Sequence, residues 1–135
     1  MPALARTLAG VAIALIIGAA PAVAKDARPR GDPKNGEAIY ARCLACHALA
    51  YDRTGPMHCG LFGRRAGSVK GFAYSDAMKR SAIVWNDKTL DRFLTNPLKA
   101  VPGTNMGYAG VENKKERTDL IAYLEAANES PQCKK

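Results

Sequence analysis

Two cysteines and a histidine in the sequence Cys43-Leu-Ala-Cys46-His47 constrain this chain more than any other feature. C-x-x-C-H is the attachment signature of c-type haem. Two thiols about one helical turn apart can reach the two vinyl groups on one edge of a porphyrin, and the adjacent imidazole can bind the iron from one face. The motif therefore predicts one covalent haem, attached through Cys43 and Cys46, with His47 as an iron ligand.

Two other uses of this cysteine pair were weighed against haem attachment. A disulfide-exchange site of the thioredoxin type follows a strand in a βαβ unit, and the sequence has no strand pattern of any strength. A zinc site needs a second pair of ligands. Of the remaining cysteines, Cys59 and Cys133, only Cys59 has an adjacent candidate ligand, His58. Haem attachment is therefore the favoured interpretation.

The first 24 residues have the pattern of a cleaved secretory signal peptide. Arg6 precedes an apolar run over 8–17, and Ala22-Val23-Ala24 is an A-x-A cleavage pattern. A membrane anchor is the alternative, but a span needs roughly 20 apolar residues and this run is shorter. We expect cleavage after Ala24 and a periplasmic protein.

The rest of the chain is short enough for one domain. We expect a flexible lead-in over 25–31, the domain over 32–130 and a C-terminal tail over 131–135. The formal net charge of +8 suits acidic partners or membrane head groups. Export argues against nucleic acid as a partner.

The helix signals are short and separated by long loops. Asp32 and Pro33 predict a helix start, as N-cap and first helical residue. Asn113 can cap the clearest helix, with Glu116 at the position that completes a capping box. Helices are expected from 33 towards 43 and over 75–80, 87–95 and 113–128. The apolar side chains are too few to order the loops between them, which favours a large buried ligand.

The second iron ligand has four candidates. Met57 and His58 follow His47 too closely to reach the other face of the haem comfortably. Met78 is available, but a methionine is usually core filler. Met106 lies in a turn-rich loop between two predicted helices, a poor place for filler, and a thioether there can bind iron and hold a high reduction potential.

Together these stretches closely resemble class I cytochromes c, in particular the bacterial relatives of mitochondrial cytochrome c. The resemblance covers residues 31 to about 128. It rests on CLACH (43–47), TGPMHCGLFGRRAG (54–67), GFAYSDAMK (71–79), NPLKAVPGTNM (96–106) and ERTDLIAYL (116–124). It implies an all-α, small single-domain fold of three to five short helices and long loops around one haem.

The resemblance also implies the ligand set. Cys43 and Cys46 would form the thioethers to haem c, and His47 and Met106 would be the axial ligands. Pro56 would accept a hydrogen bond from the other nitrogen of His47, which fixes the ring and raises its basicity.

Four further residues receive roles from the resemblance. Arg64, Tyr74 and Trp85 would surround a buried haem propionate, since a buried carboxylate needs charge and hydrogen bonds to stay ionised. Thr104 would lie near the other propionate or the methionine loop.

The chain departs from the pattern of the family at several positions. Phe93 and Met78 stand where relatives usually have polar residues near the methionine ligand, so a drier haem crevice is expected. The ring of lysines around the haem edge is thin, which weakens steering towards an acidic partner. Cys59 and Cys133 are additional, and we expect a disulfide between them, because these regions lie near one another in the family fold.

The function implied is that of a soluble electron carrier and not of an enzyme. Its expected partners are transient: a reductase or dehydrogenase donor, and an oxidase or reaction-centre acceptor. The protein would be a monomer that meets membranes only through those partners. The alternative is a catalytic or gas-binding haem protein with an open iron, which the loop around Met106 opposes.

Overall fold

The computed structural model describes residues 31–134, and within them the chain forms five short α-helices and no strand. The helices are α1 (Pro33–Tyr40), α2 (Asp76–Arg80), α3 (Asp87–Thr95), α4 (Pro97–Ala100) and α5 (Lys114–Asn128). The all-α class and the small single domain are confirmed. Over the same residues, no helix has the length and apolar character needed to cross a bilayer. The predicted signal peptide (1–24) and all but the last residue of the lead-in (25–31) lie outside the described residues.

Local capping signals set the starts of the helices. Asp32 accepts a hydrogen bond from the backbone N–H of Lys34 at 2.9 Å, and Pro33 occupies the first helical position of α1. Ser75 accepts one from the N–H of Met78 at 3.2 Å at the start of α2. Such caps satisfy the backbone donors that the first helical turn leaves free. The predicted starts of these helices are confirmed.

Only one of the two hydrogen bonds of the capping box predicted for α5 forms. Asn113 accepts from the N–H of Glu116 at 3.1 Å, but the Glu116 carboxylate pairs with Arg42 at 2.9 Å instead of returning to Asn113. A complete box forms on α3, where Asn86 and Thr89 exchange hydrogen bonds. Arg42 binds the Glu116 carboxylate in preference to the backbone N–H of Asn113, because the bond between a guanidinium and a carboxylate is charge-assisted.

The observed helices differ from the predicted ones in two places. The first helix ends at Tyr40, and the chain continues as a 3₁₀ turn over Ala41–Cys43. After α3 a further single turn, α4, begins at Pro97 with Asn96 as its N-cap. Asn before Pro is a local start signal, and the sequence analysis did not use it.

Helices α1 and α5 cross at Gly36. A methyl group on Gly36 would collide with the carbonyl of Asp119, so only glycine permits this approach of the two backbones. The Asp119 side chain accepts from the N–H of Asp32 at 2.7 Å and from Lys115 Nζ at 2.6 Å. The crossing fixes the direction in which the chain leaves α1 for the cysteine motif.

The long loop after the motif is attached to the end of α5. Asn128 Nδ2 donates to the carbonyl of His58 at 3.0 Å, and its Oδ1 accepts from the N–H of Leu61 at 2.9 Å. A disulfide joins Cys59 to Cys133, as predicted, across a sequence separation of 74. Helix α5 and the residues after it therefore anchor the loop that follows the cysteine motif.

Candidate haem site

A cavity of about 540 Å³ occupies the centre of the domain. This volume lies within the range of cofactor pockets, ~300–1,000 Å³. All nine residues predicted to attach, ligate or contact haem line it: Cys43, Cys46, His47, Pro56, Arg64, Tyr74, Trp85, Thr104 and Met106. The core side chains, such as Leu90, Leu94 and Leu120, form the rest of its wall. The apolar core thus surrounds a space and does not close on itself.

The cysteine motif is wound into a tight turn. The backbone N–H groups of Cys46 and His47 both donate to the carbonyl of Cys43, at 3.1 and 2.9 Å. This turn brings the two side-chain thiols and the imidazole to one cavity, and neither thiol is in a disulfide. Burial raises the pKa of the Cys43 thiol to about 11. The unattached thiol is therefore protonated at neutral pH.

The tautomer of His47 is determined by its hydrogen bond. His47 is buried, and its Nδ1 lies 2.8 Å from the carbonyl oxygen of Pro56. A carbonyl oxygen can only accept, so Nδ1 carries the proton and Nε2 keeps a lone pair for a metal. Burial lowers the pKa of His47, which also favours the neutral ring.

Gly55 makes room for this ring. A methyl group there would lie 2.6 Å from each nitrogen of the His47 ring, closer than any real contact. Sequence analysis missed the role of Gly55, although the Gly-Pro pair at 55–56 is a turn signal that could have drawn attention to it.

Arg64 carries a buried donor with no partner. Its Nη1 and Nη2 atoms donate to the carbonyls of Cys59 and Met57 at 3.0 and 2.8 Å, whereas Nε is buried and has no hydrogen bond. Leaving a buried cationic donor unsatisfied is costly. Tyr74 and Trp85, the other two residues expected to contact the same propionate, line the cavity with Arg64.

The loop that carries Met106 is closed by hydrogen bonds of Thr104. The N–H of Thr104 donates to the carbonyl of Val101 at 3.0 Å, and the Thr104 hydroxyl accepts from the N–H of Met106 at 3.3 Å. Gly103 has φ +89°, which permits the turn. This arrangement directs Met106 to the cavity, and Thr104 lines the same cavity.

Two apolar side chains line the cavity at positions where the resemblance implies polar groups. Phe93 and Met78 are both buried and line it, and the ring of Phe93 lies 5.1 Å from that of Trp85. Their positions fit the drier crevice expected from the sequence.

His58, which follows His47 too closely in sequence to be expected as the second iron ligand, also lines the cavity. Its ring stacks on the ring of His47, with centroids 4.3 Å apart and planes at 22°. The Tyr40 hydroxyl is 3.0 Å from Nδ1 of His58. Burial lowers the pKa of His58 to about 3, so this imidazole is neutral.

The residues present fit a covalent haem. The cavity has two free thiols, a neutral imidazole with an available nitrogen, a thioether and an unsatisfied guanidinium N–H. An iron porphyrin with carboxylate substituents matches each of these groups. A domain of this size whose core is arranged around such a space is that of a small c-type haem protein.

Comparison with known proteins gives the family. The sequence model of the family described as Cytochrome c matches residues 33–128. The chain belongs to the cytochrome c family. Its cofactor is haem c, bound covalently through Cys43 and Cys46, and the protein is an electron carrier.

Similar proteins come from bacteria and from eukaryotes. Cytochrome c2 of Rhodomicrobium vannielii is 42% identical over 112 residues, which cover 81% of this chain and 90% of that protein. Cytochrome c of Tetrahymena pyriformis is 51% identical over 100 residues, 73% of this chain and 91% of that protein. Among solved structures, cytochrome cH from Methylobacterium extorquens has a TM-score of 0.69 and 40% identity, and covers 71% of this chain and 99% of its own.

Proposed function

We propose that this protein is a soluble, periplasmic one-electron carrier whose haem iron is bound axially by His47 and Met106. The observation that carries the proposal is the hydrogen bond from His47 Nδ1 to Pro56 O at 2.8 Å, which leaves Nε2 free for iron. Met106 lines the same cavity, which supports it as the second axial ligand. No coordination position is then left for a substrate, and we infer no enzymatic activity.

The iron, when bound, supplies the chemistry by alternating between its ferric and ferrous states. The residues of the chain hold it in one environment through that change. Cys43 and Cys46 would tether the porphyrin, and the Pro56 carbonyl anchors the Nδ1 atom of His47. Arg64 would offer its unpartnered Nε–H to a propionate. A preorganised set of this kind leaves little to rearrange when one electron arrives or departs.

Exchange with partners would take place where the cysteine motif meets the surface. Cys46 is exposed, and the neighbouring Leu44 is 47% exposed. A small, partly apolar patch favours brief docking through a small interface. The partners proposed are a reductase or dehydrogenase donor and an oxidase or reaction-centre acceptor. We further propose a monomer that meets membranes only through those partners.

Electrostatic steering by this face would be modest. Arg42, next to the motif, is engaged by the Glu116 carboxylate through two hydrogen bonds of 2.9 and 3.2 Å. A charge so paired attracts a distant acidic partner less than a free one.

The visible spectrum of the ferric holoprotein tests the proposal. We expect the weak charge-transfer band at the red edge that marks an iron–methionine bond. Met106→Ala should abolish the band, whereas Met57→Leu, a matched change outside the cavity lining, should retain it. A high-spin wild-type spectrum without the band would refute axial ligation by Met106 and would indicate an open iron.

A further inference from the structure

We propose that His58 is a positioning residue for the haem, which fixes the ring plane of the axial ligand His47 by stacking on it. This inference rests on the proposed ligation of iron by His47. It concerns how that ligand is oriented and how readily the iron changes its oxidation state.

The hydrogen bond to Pro56 cannot fix the ring of His47 alone. It constrains one atom, Nδ1, and leaves rotation about the line of the N–H···O bond. The ring of His58 packs against one face of the His47 ring, with ring centroids 4.3 Å apart and ring planes at 22°. This nearly parallel contact prevents the rotation. The backbone of Gly55, which touches the ring through the space where a side chain would be, limits movement further.

His58 is itself held in place, its ring by one hydrogen bond and its backbone by several. Tyr40 is buried in α1, and its hydroxyl lies 3.0 Å from His58 Nδ1. The N–H of His58 donates to the carbonyls of Ala48 and Leu49, each at 3.1 Å. Its carbonyl accepts from Asn128, and the next residue, Cys59, is bonded to Cys133. Tyr40 and His58 thus link helix α1 to the proposed iron ligand, His47.

The stack also has an electronic consequence. Imidazole bound to ferric iron is more positive than imidazole bound to ferrous iron. The face of a neutral aromatic ring attracts positive charge, an effect that corresponds to about two- to fivefold in an equilibrium constant. An aliphatic residue has no such face. His58 should therefore favour the ferric state relative to leucine at the same position.

The test uses the wild-type holoprotein, His58→Leu, His58→Phe and Tyr40→Phe. Leucine removes the ring, phenylalanine keeps a ring without its hydrogen bond, and Tyr40→Phe removes only the bond. Tyr123→Phe is the matched control, because Tyr123 packs on Tyr40 at 5.0 Å and does not line the cavity. Hyperfine-shifted haem methyl signals in the ferric proton NMR spectrum report the plane of the axial imidazole, and equilibration with a redox mediator reports the ferric-to-ferrous ratio.

We expect His58→Leu to change the order or spread of the methyl signals and to move the equilibrium about two- to fivefold towards the ferrous state. His58→Phe and Tyr40→Phe should produce smaller changes in the signals, and Tyr123→Phe none. Wild-type methyl signals and equilibrium in His58→Leu would overturn the inference. If that variant fails to mature, His58→Ala, which also removes the ring, replaces it, and wild-type methyl signals and equilibrium in His58→Ala would overturn the inference.

Failure of this inference is distinguishable from failure of the proposed function. An iron–methionine band in the wild type together with unchanged methyl signals in the variants would refute the role of His58 alone. Absence of the band from the wild type would refute the proposed axial ligation whatever the variants show.

Discussion

Cys59 and Cys133 are joined across a sequence separation of 74, which allows the contribution of the disulfide to stability to be calculated. Closing a loop of that length in the unfolded chain costs about 4.5 kcal/mol of entropy at 25 °C in the chain-entropy model. Measured effects of removing a native disulfide are typically about 2–5 kcal/mol. The Asn128 hydrogen bonds to the same loop, at 2.9 and 3.0 Å, remain when the disulfide is removed. We therefore expect the double variant Cys59→Ala/Cys133→Ala to fold and to lose about 2–4 kcal/mol of unfolding free energy.

Equilibrium unfolding of the ferric holoprotein in guanidinium chloride measures this loss. Trp85 lines the haem cavity, so its fluorescence should be quenched by haem in the folded state and should rise on unfolding. The slope of free energy against denaturant should increase in the variant, because an unlinked chain exposes more surface when it unfolds. Cys133→Ala alone should lose as much as the double variant, since either change removes the link.

The visible spectrum provides the control for this experiment. Neither cysteine lines the haem cavity, so the ferric spectrum of the double variant should match that of the wild type. A difference in unfolding free energy below about 0.5 kcal/mol, with the spectrum intact, would show that the disulfide does not act through the unfolded chain.

Three further changes have defined outcomes. Phe93→Tyr adds a hydroxyl to an apolar part of the crevice and should lower the pH at which alkali displaces Met106, seen in a pH titration of the ferric spectrum; an unmoved midpoint would contradict the dry crevice. The hydrogen bond from Lys115 holds the pKa of Asp119 below its usual value. The ionised Asp119 carboxylate therefore stabilises the fold fully above the pKa of aspartate in the unfolded chain, about 3.9. This stabilisation is lost as the pH falls through the lower pKa of Asp119 in the folded protein. Lys115→Ala should accordingly move acid unfolding, followed by circular dichroism, to higher pH, and an unchanged midpoint would show that the pair contributes nothing. Because the charges around the haem edge are few and partly paired, the rate of reduction by an acidic partner should fall only shallowly with salt; a steep fall in stopped-flow measurements would show that steering is strong.

Much of the local structure was predictable because its signals act over a few residues. The Asp32–Pro33 pair and Ser75 lie at the helix starts where they were expected. The disulfide and the roles of the cavity-lining residues outside the cysteine motif, such as Pro56 and Arg64, were predicted through the resemblance to class I cytochromes c, which supplies the spatial neighbours that local patterns lack. The helix boundaries at Asp87–Thr95 follow from the apolar face of that segment and from Pro97 beyond it.

The half-formed capping box on α5 shows where local rules fail. Glu116 stands three residues after Asn113, as the box requires, yet its carboxylate binds Arg42, which is 74 positions away in sequence. The local pattern shows only that the Glu116 carboxylate could bond to the backbone of Asn113. The crossing of α1 and α5 brings the charged Arg42 side chain within reach, and Glu116 binds it instead.

By itself, the sequence determined the covalent haem, because C-x-x-C-H brings two thiols and an imidazole together within one turn of chain. Only the tertiary structure decided how His47 is surrounded. The stacked ring of His58, its bond to Tyr40 and the space left by Gly55 depend on loops and helices that meet after folding. The unpartnered Nε of Arg64 is likewise visible only once burial is known. Covalent attachment is a property of adjacent residues, but the environment of an iron ligand is a property of residues that are distant in sequence and in contact in space.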